Sequence, residues 1–316
     1  MSLRWFAVFG LVFVTAMARP VAADEPAPLP VPFRVVAYLP EYREFQPEAA
    51  LGVTDLIVFS AEPAVDGGLD MKRLERTPWS ALCEFKTRQG VRLFLCVGGG
   101  GRSANFPAMA ASPELRNRFA TEVVRVCLER RLDGLDLDWE HPEDAAQQEH
   151  YAELLIALRE AFQPHGLALS VTMAAWQGLP KKGFEAVDWV NLMSYDHKGQ
   201  HSTEEQAKKD VTTLLNKGAP LNQITLGLPF YGRDVSKPDR VLTYQEIVAK
   251  YHPPNTVNEV DNLFFNGPDL IRRKCRMARD GGLAGVMVWE IGQDAPGKQS
   301  LLKVITTTVN SKTRRP

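Results

Sequence analysis

Two hydrophobic periods alternate along this chain. Eight short runs are dense in apolar, β-branched and aromatic residues: 33–40 (FRVVAYLP), 54–60 (TDLIVFS), 91–99 (VRLFLCVGG), 132–140 (LDGLDLDWE), 166–173 (GLALSVTM), 187–196 (VDWVNLMSYD), 223–232 (QITLGLPFYG) and 283–290 (LAGVMVWE). Between most of them lie amphipathic segments with helical spacing. In 113–131 the apolar residues Phe119, Val123 and Val126 recur on one helical face. Ser112 before Pro113 offers an N-cap followed by proline at the first helical position. A second helix is predicted over 143–163. Strand–helix alternation repeated eight times predicts an α/β fold in which a parallel sheet closes into a (β/α)8 barrel, the TIM-barrel architecture. A doubly wound open sheet is the alternative, and the count of eight favours the barrel. From Asp234 to Gly282 the chain is longer than a plain strand–helix unit needs. It reads as a helix over 241–252, a polar loop and a second helix near 268–280, a modest insertion after the seventh strand.

The fourth run breaks the apolar rule. Side chains alternate faces along a strand, so Asp136, Asp138 and Glu140 share one face while Leu135, Leu137 and Trp139 share the other. In a barrel the apolar set faces the helices and the acids face the interior. Glu140 stands last, at the C-terminal end, where barrel enzymes carry their reactive groups. Carboxylates so spaced stand roughly 6.5–7 Å apart at Cα. Burial and like-charge proximity raise carboxyl pKa values, so a proton is expected on the cluster near neutral pH. That is what general acid catalysis requires. Two other readings compete: a structural cluster satisfied by Arg or backbone amides, and a divalent cation site. Buried ions are a costly way to gain stability, and residues two apart on one strand do not easily converge on one ion. Asp133, at the start of the strand, reads as a turn or packing residue.

Composition changes the picture little. The 316 residues are 45% apolar and 24% charged, with a formal net charge of −1. That balance gives no reason to expect nucleic acid as a partner; a neutral substrate fits it better. Residues 1–23 read as a secretory signal: Arg4, an apolar stretch at 5–18 and the small residues Val21, Ala22 and Ala23 before Asp24. An uncleaved anchor is the competing reading, but the apolar stretch is short for a membrane span. Residues 24–32 read as a Pro-rich linker, 33–310 as the barrel domain and 311–316 as a short tail. The expected location is secreted or periplasmic, with no membrane insertion after cleavage. Cys83, Cys96, Cys127 and Cys275 match no metal motif. Export permits disulfides, but buried free thiols are the preferred expectation. Gly98 to Gly101 lack phosphate-loop spacing and read as close backbone packing beside the acidic strand.

The segment DGLDLDWE (133–140) fills the pattern D-x-x-D-x-D-x-E, and here the sequence resembles glycoside hydrolase family 18, the chitinase family, in its bacterial-type catalytic domain. The likeness continues in VVAYLPEY (35–42), LCVGGGG (95–101), LMSYD (192–196), LGLPFYGR (226–233) and GVMVWEIGQD (285–294). The resemblance implies hydrolysis of β-1,4-linked N-acetylglucosamine polymers or oligomers by a retaining mechanism in which the substrate's own acetamido group is the nucleophile. Glu140 would be the acid, Asp138 would orient the acetamido group, and Asp136 would share a proton with Asp138. Tyr195 would donate to the acetamido oxygen. Asp196 and Met193 would line the reacting subsite over a floor formed by Trp289. Tyr38, Phe59, Tyr231 and Arg233 are further cleft candidates, and Trp176, after the fifth strand, would extend the cleft. No cofactor or metal is implied, the partner is an N-acetylglucosamine-containing glycan, and a monomer is expected. Alternatives within the resemblance are an endo-β-N-acetylglucosaminidase acting on N-glycans or peptidoglycan-related glycans, and a non-catalytic chitin-binding lectin. The presence of Glu140 weighs against the lectin. Cys96 stands where the family usually has Ser, and the short insertion points to a shallow, open cleft.

Overall fold

The computed structural model describes residues 32–311 together with Met1. The expected signal from residue 2 onward, nearly all of the linker, and the tail beyond Ser311 lie outside the described residues.

All eight apolar runs form strands: β1 Arg34–Pro40, β2 Asp55–Pro63, β3 Arg92–Gly98, β4 Gly134–Asp138, β5 Ala168–Met173, β6 Trp189–Leu192, β7 Ile224–Pro229 and β8 Gly285–Trp289. Each pairs in parallel with its sequence neighbours, and β1 pairs with both β2 and β8, so the sheet closes. The open-sheet alternative is thereby excluded. Closure sorts side chains by parity. Val35, Ala37 and Leu39 of β1 join Leu135 and Leu137 of β4, and Trp139 just past its end, in the layer between strands and helices. Val36, Tyr38, Phe94, Cys96, Trp189 and Met287 fill the barrel interior.

Trp139 shows how the outer layer holds β4. Its ring stacks on Phe106 at 5.3 Å and meets Tyr151 edge-on at 5.3 Å. The Tyr151 hydroxyl donates to the Leu137 carbonyl at 3.0 Å. Each such buried aromatic contributes on the order of 1.5–3 kcal/mol. At the barrel floor Asp55 lies between Arg34 and Arg92, and Arg34 lies over the Trp189 ring at 4.3 Å. Asp133 belongs to this end, as expected of a packing residue. Its carboxylate accepts from the Leu93 amide at 2.7 Å and pairs with Lys86 at 2.8 Å.

The predicted helices form as Pro113–Glu129 and Ala145–Phe162. Ser112 accepts from the Leu115 amide at 3.3 Å, the N-cap its position implies. The first crossover has only a 3-10 turn, Pro47–Ala50, in place of a helix.

Three expectations are corrected. The run 223–232 is not one strand: β7 stops at Pro229, and Tyr231–Asp234 turns into a separate four-stranded antiparallel sheet. Pro229 has no amide to continue a ladder. The polar loop expected within the insertion contains two strands of that sheet, Glu259–Val260 and Leu263–Phe264. Asp261 and Asn262, both at positive φ, make the turn between them. Asp and Asn tolerate the positive φ that a tight hairpin turn requires, but strands of two residues have no periodicity to betray them. Finally, all four cysteines are free, yet Cys83 is only partly buried. No helix among the described residues is long and apolar enough to cross a membrane.

Candidate active site

Register brings the acids of β4 opposite chosen partners. Asp136 pairs across β3 with Cys96 and across β5 with Ser170. Its carboxylate is fully buried and accepts from Tyr38 Oη at 2.7 Å, Ser170 Oγ at 2.6 Å, Thr172 Oγ1 at 3.0 Å and Asn191 Nδ2 at 2.9 Å. Burial raises the Asp136 pKa, and these donors pull it back without cancelling the rise. The expected Asp136–Asp138 pair does not form here, because the side chains of adjacent strands, about 4.8 Å away, are nearer than the next inward residue of the same strand.

Asp138 has no such ring of donors. It is 3% exposed, and its Oδ1 is buried without a hydrogen-bond partner. Burial, then the neighbouring Glu140 and Asp136 carboxylates, push its pKa well above the ordinary carboxyl value. Asp138 therefore keeps its proton to a higher pH than an ordinary carboxyl.

Glu140 lies two residues past the end of β4, with a quarter of its side chain exposed. Its amide donates to Ser103 Oγ at 3.0 Å, and Ser103 in turn reaches the Gly99 and Asp138 carbonyls. Burial, then the charge of Asp196, raise the Glu140 pKa, opposed by a hydrogen bond from the Gly100 amide. The glycine run fits here as expected. Gly98 is at φ +99°, and a Cβ on it would meet the Asp138 carbonyl oxygen at 2.2 Å.

The chain after β6 supplies the opposite wall. Asp196, at φ +64°, accepts from Tyr231 Oη at 2.6 Å and pairs with Arg233 at 3.0 Å. Burial would raise its pKa, but the nearby His201 imidazole, at 3.6 Å, the hydrogen bond from Tyr231 and the Arg233 charge bring it below the usual value. Tyr195 Oη touches only Met287 Sδ, at 3.9 Å. Trp289 packs edge-on against Phe59 at 4.8 Å and against Tyr38 at 5.4 Å, and keeps part of its surface open.

A cleft of about 340 Å³ gathers Tyr38, Phe59, Asp138, Glu140, Met193, Tyr195, Asp196 and Trp289. Asp136 lies beneath it. Tyr231 and Arg233 are absent from its lining and act through Asp196. Sequence reasoning missed Tyr42, Gly100, Arg102 and Thr172, which complete the lining. It also missed Ser170 and Asn191, although a signal existed: polar residues recur at inward positions of otherwise apolar β5 and β6. Glu290 is turned away from the cleft, since it accepts from Arg43 Nε and the Gly292 amide, both at 2.8 Å. A larger cavity, about 630 Å³, lies between the segments Arg43–Leu51 and Ile291–Lys303. Its most buried acid, Asp294, is occupied in capping the last helix, accepting from the Leu301 and Leu302 amides and Ser300 Oγ. The smaller cleft is therefore the one equipped for chemistry.

A closed parallel barrel with a line of carboxylates climbing one strand to its C-terminal rim defines a barrel site built for proton transfer. The chain belongs to glycosyl hydrolases family 18, whose model matches residues 36–294. Among curated relatives, endochitinase 1 of Metarhizium robertsii is 25% identical across 69% of this chain and 65% of its own length. Chitinase 1 of Aphanocladium album is 27% identical across the same shares, 69% and 65%. This chain thus spans about 65% of the length of these relatives. Among solved structures, a chitinase from Bacteroides thetaiotaomicron superposes with a TM-score of 0.78 at 20% identity, covering 90% of this chain and 98% of that one. These structural likenesses bear on the fold.

Proposed function

We propose that the protein hydrolyses β-1,4-linked N-acetylglucosamine polymers or oligomers with retention of configuration, using the substrate's acetamido oxygen as nucleophile. The observation that carries this reading is the buried, unpartnered Oδ1 of Asp138 beside a protonatable Glu140. A buried acceptor without a donor costs on the order of 1–3 kcal/mol, and the N–H of an acetamido group would satisfy it.

Family 18 glycosidases are among the exceptions to the two-carboxylate scheme. Glu140 gives its proton to the glycosidic oxygen as the bond from the anomeric carbon breaks. The acetamido oxygen closes on that carbon to give an oxazolinium ion. Asp138 accepts the acetamido N–H on Oδ1 and so orients the group as positive charge develops on the ring. Asp136, fixed by its four donors, keeps Asp138 upright through packing and charge. Tyr195 Oη, with no strong partner of its own, donates to the acetamido oxygen. Glu140, now a carboxylate, takes a proton from water as that water opens the ring. Trp289 presents an apolar face to the sugar. The relatives named chitinase support the same substrate class. We further propose that residues 1–23 direct export and that the mature chain acts as a monomer.

Glu140→Gln is expected to lower turnover by roughly 10²–10⁴-fold, the usual worth of a positioned acid, while oligosaccharide binding persists. Wild-type rates in that variant would remove Glu140 from the mechanism. A product profile on chitin oligomers, chitin suspension, a high-mannose glycopeptide and a peptidoglycan fragment tests the substrate. Cleavage of the glycopeptide alone would replace chitin with N-glycans.

A further inference from the structure

The turn after β3 carries no large side chain before Arg102. Arg102 lines the cleft yet is only 8% exposed. Its guanidinium forms a two-pronged ion pair with Glu41, one residue past β1. Nη2 donates to Glu41 Oε1 at 2.7 Å and Nη1 to Glu41 Oε2 at 3.1 Å. Nη1 also donates to Ser60 Oγ of β2 at 2.9 Å, and Ser60 Oγ donates on to the Gly98 carbonyl at 2.7 Å. The cation lies over the Phe59 ring at 4.6 Å. One side chain thus ties β2 to the rim ends of β1 and β3. A guanidinium that grips a carboxylate with two donors fixes geometry as well as charge. Neither Arg102 nor Glu41 has a part in the proton transfers of the proposed mechanism.

This joint holds the turn beside Glu140. The Arg102 amide donates to the Gly99 carbonyl at 2.9 Å and closes the turn. At one end the Gly99 amide donates to the Asp138 carbonyl at 2.6 Å. At the other, Ser103 Oγ accepts from the Glu140 amide at 3.0 Å. Between them Gly100 faces the Glu140 carboxyl: a Cβ on it would stand 3.7 Å from Oε2 and 4.0 Å from Oε1. Its amide favours the carboxylate form, against burial and the charge of Asp196. Gly98 to Gly101 give the turn no side chains of their own to keep it there, and glycine backbone is the freest to move. Its position is imposed from outside.

We propose that Arg102, clamped by Glu41 and Ser60, is a positioning residue for the acid: it holds the Gly99–Ser103 turn against Glu140. The inference rests on the proposed function, in which Glu140 gives the proton, and adds the pair that places it. The titratable groups facing Glu140 are Asp138 from β4, His141 with Nε2 3.6 Å from Oε2, and Asp196 and Tyr195 from the segment after β6. Once the clamp is released, Gly100 no longer favours the carboxylate, and Glu140 holds its proton to higher pH. The sign separates this from plain charge. Through space, removing the negative charge of Glu41 would make Glu140 lose its proton at lower pH. Releasing the turn does the opposite. Arg102→Lys keeps the charge but loses the two-pronged grip.

The test follows wild type, Arg102→Lys and Glu41→Gln on the β-1,4-linked N-acetylglucosamine hexamer across pH, with thermal midpoints to confirm folding. Both variants are expected to lower kcat roughly tenfold or more, the scale of a misplaced reacting group, with little change in KM. The alkaline limb of kcat/KM should move to higher pH in both. The Glu140 carboxyl resonance, followed by carbon NMR in the free enzyme and assigned by its loss in Glu140→Gln, should show the same upward shift. A limb and resonance that stay in place in Arg102→Lys, or move to lower pH in Glu41→Gln, would overturn the proposal. So would a rise in KM alone, which would make Arg102 a substrate contact. If Glu41→Gln does not fold, Arg102→Lys carries the test. The NMR titration needs no turnover. Should wild type leave the hexamer intact, the proposed function fails, while the titration still decides whether the clamp acts on Glu140.

Discussion

The carboxylate of Asp196 is held by the Tyr231 hydroxyl at 2.6 Å and the Arg233 guanidinium at 3.0 Å. With its pKa lowered it stays charged, and that charge is one of the two forces raising the pKa of Glu140. In the proposed mechanism the acid form of Glu140 is the working form, so kcat/KM should fall as pH rises through its pKa. Replacing Asp196 with Asn removes the repulsion, lowers the Glu140 pKa, and should move the alkaline limb of the kcat/KM profile to lower pH. A limb that stays in place would show that burial alone sets the Glu140 proton. At this scale the sequence was informative about identity. Asp136, Asp138 and Glu140 were legible because strand parity follows from residue spacing. The different strengths of their pKa shifts were not, because these depend on donors from β1, β5 and β6 around Asp136 and on their absence around Asp138. Tyr231 and Arg233 illustrate the same limit: their residue types suggested a cleft, but they reach it only through Asp196.

The elements that matter most to the site are the ends of β3 and β4. Gly98 at φ +99° lets β3 run against β4, where the Gly99 amide donates to the Asp138 carbonyl at 2.6 Å. Gly98→Ala would place a methyl group 2.2 Å from that carbonyl and force a left-handed conformation on alanine. Displacement of Asp138 and Glu140 should follow, with activity reduced at least tenfold by the misplacement and a lowered thermal midpoint. Unchanged kinetics in a stably folded variant would show that the strand end tolerates movement. The glycine run was readable as a packing device from its neighbours in sequence. The true ends of β6 and β7 were not. Apolar and aromatic residues continue past both strands, yet at Met193–Asp196 the backbone leaves the ladder to aim Tyr195 and Asp196 across the mouth. Hydrophobicity reports burial, and Tyr195, Phe230 and Tyr231 are buried beyond the strand ends instead of within the sheet.

At the scale of the whole molecule, Lys274 binds the insertion to the site. From the helix Pro268–Asp280 its fully buried Nζ donates to the Ser202 carbonyl at 2.8 Å, Ser202 Oγ at 2.7 Å and Asn266 Oδ1 at 2.8 Å. Ser202 Oγ donates in turn to the Ser194 carbonyl at 2.8 Å, next to Tyr195. Burial pulls the Lys274 pKa from 10.5 down to about 7, although three acceptors favour the ammonium. Below the folded-state value both states hold the proton, and burying the charge costs stability in full. Between about 7 and 10.5 the unfolded chain holds a proton that the folded chain has released, so stability rises with pH across that window. Urea unfolding of wild type should show this rise, and Lys274→Met should flatten it. Identical slopes in the two proteins would mean that Lys274 keeps its charge throughout.

In PDLIRRKCRMARD, Lys274 has the appearance of any solvated helix charge. Only the packing of that helix against the chain after β6 turns it into a buried donor. The sequence by itself determined the eight strands, their inward and outward faces, and the carboxylate line ending at Glu140. Those depend on periodicity and local spacing, which a chain carries in its order of residues. The tertiary structure alone decided which acid is surrounded by donors, which charge acts on Glu140, and which guanidinium ties the strand ends around it. Those depend on distances between strands and loops far apart in the chain, which exist only once the barrel has closed.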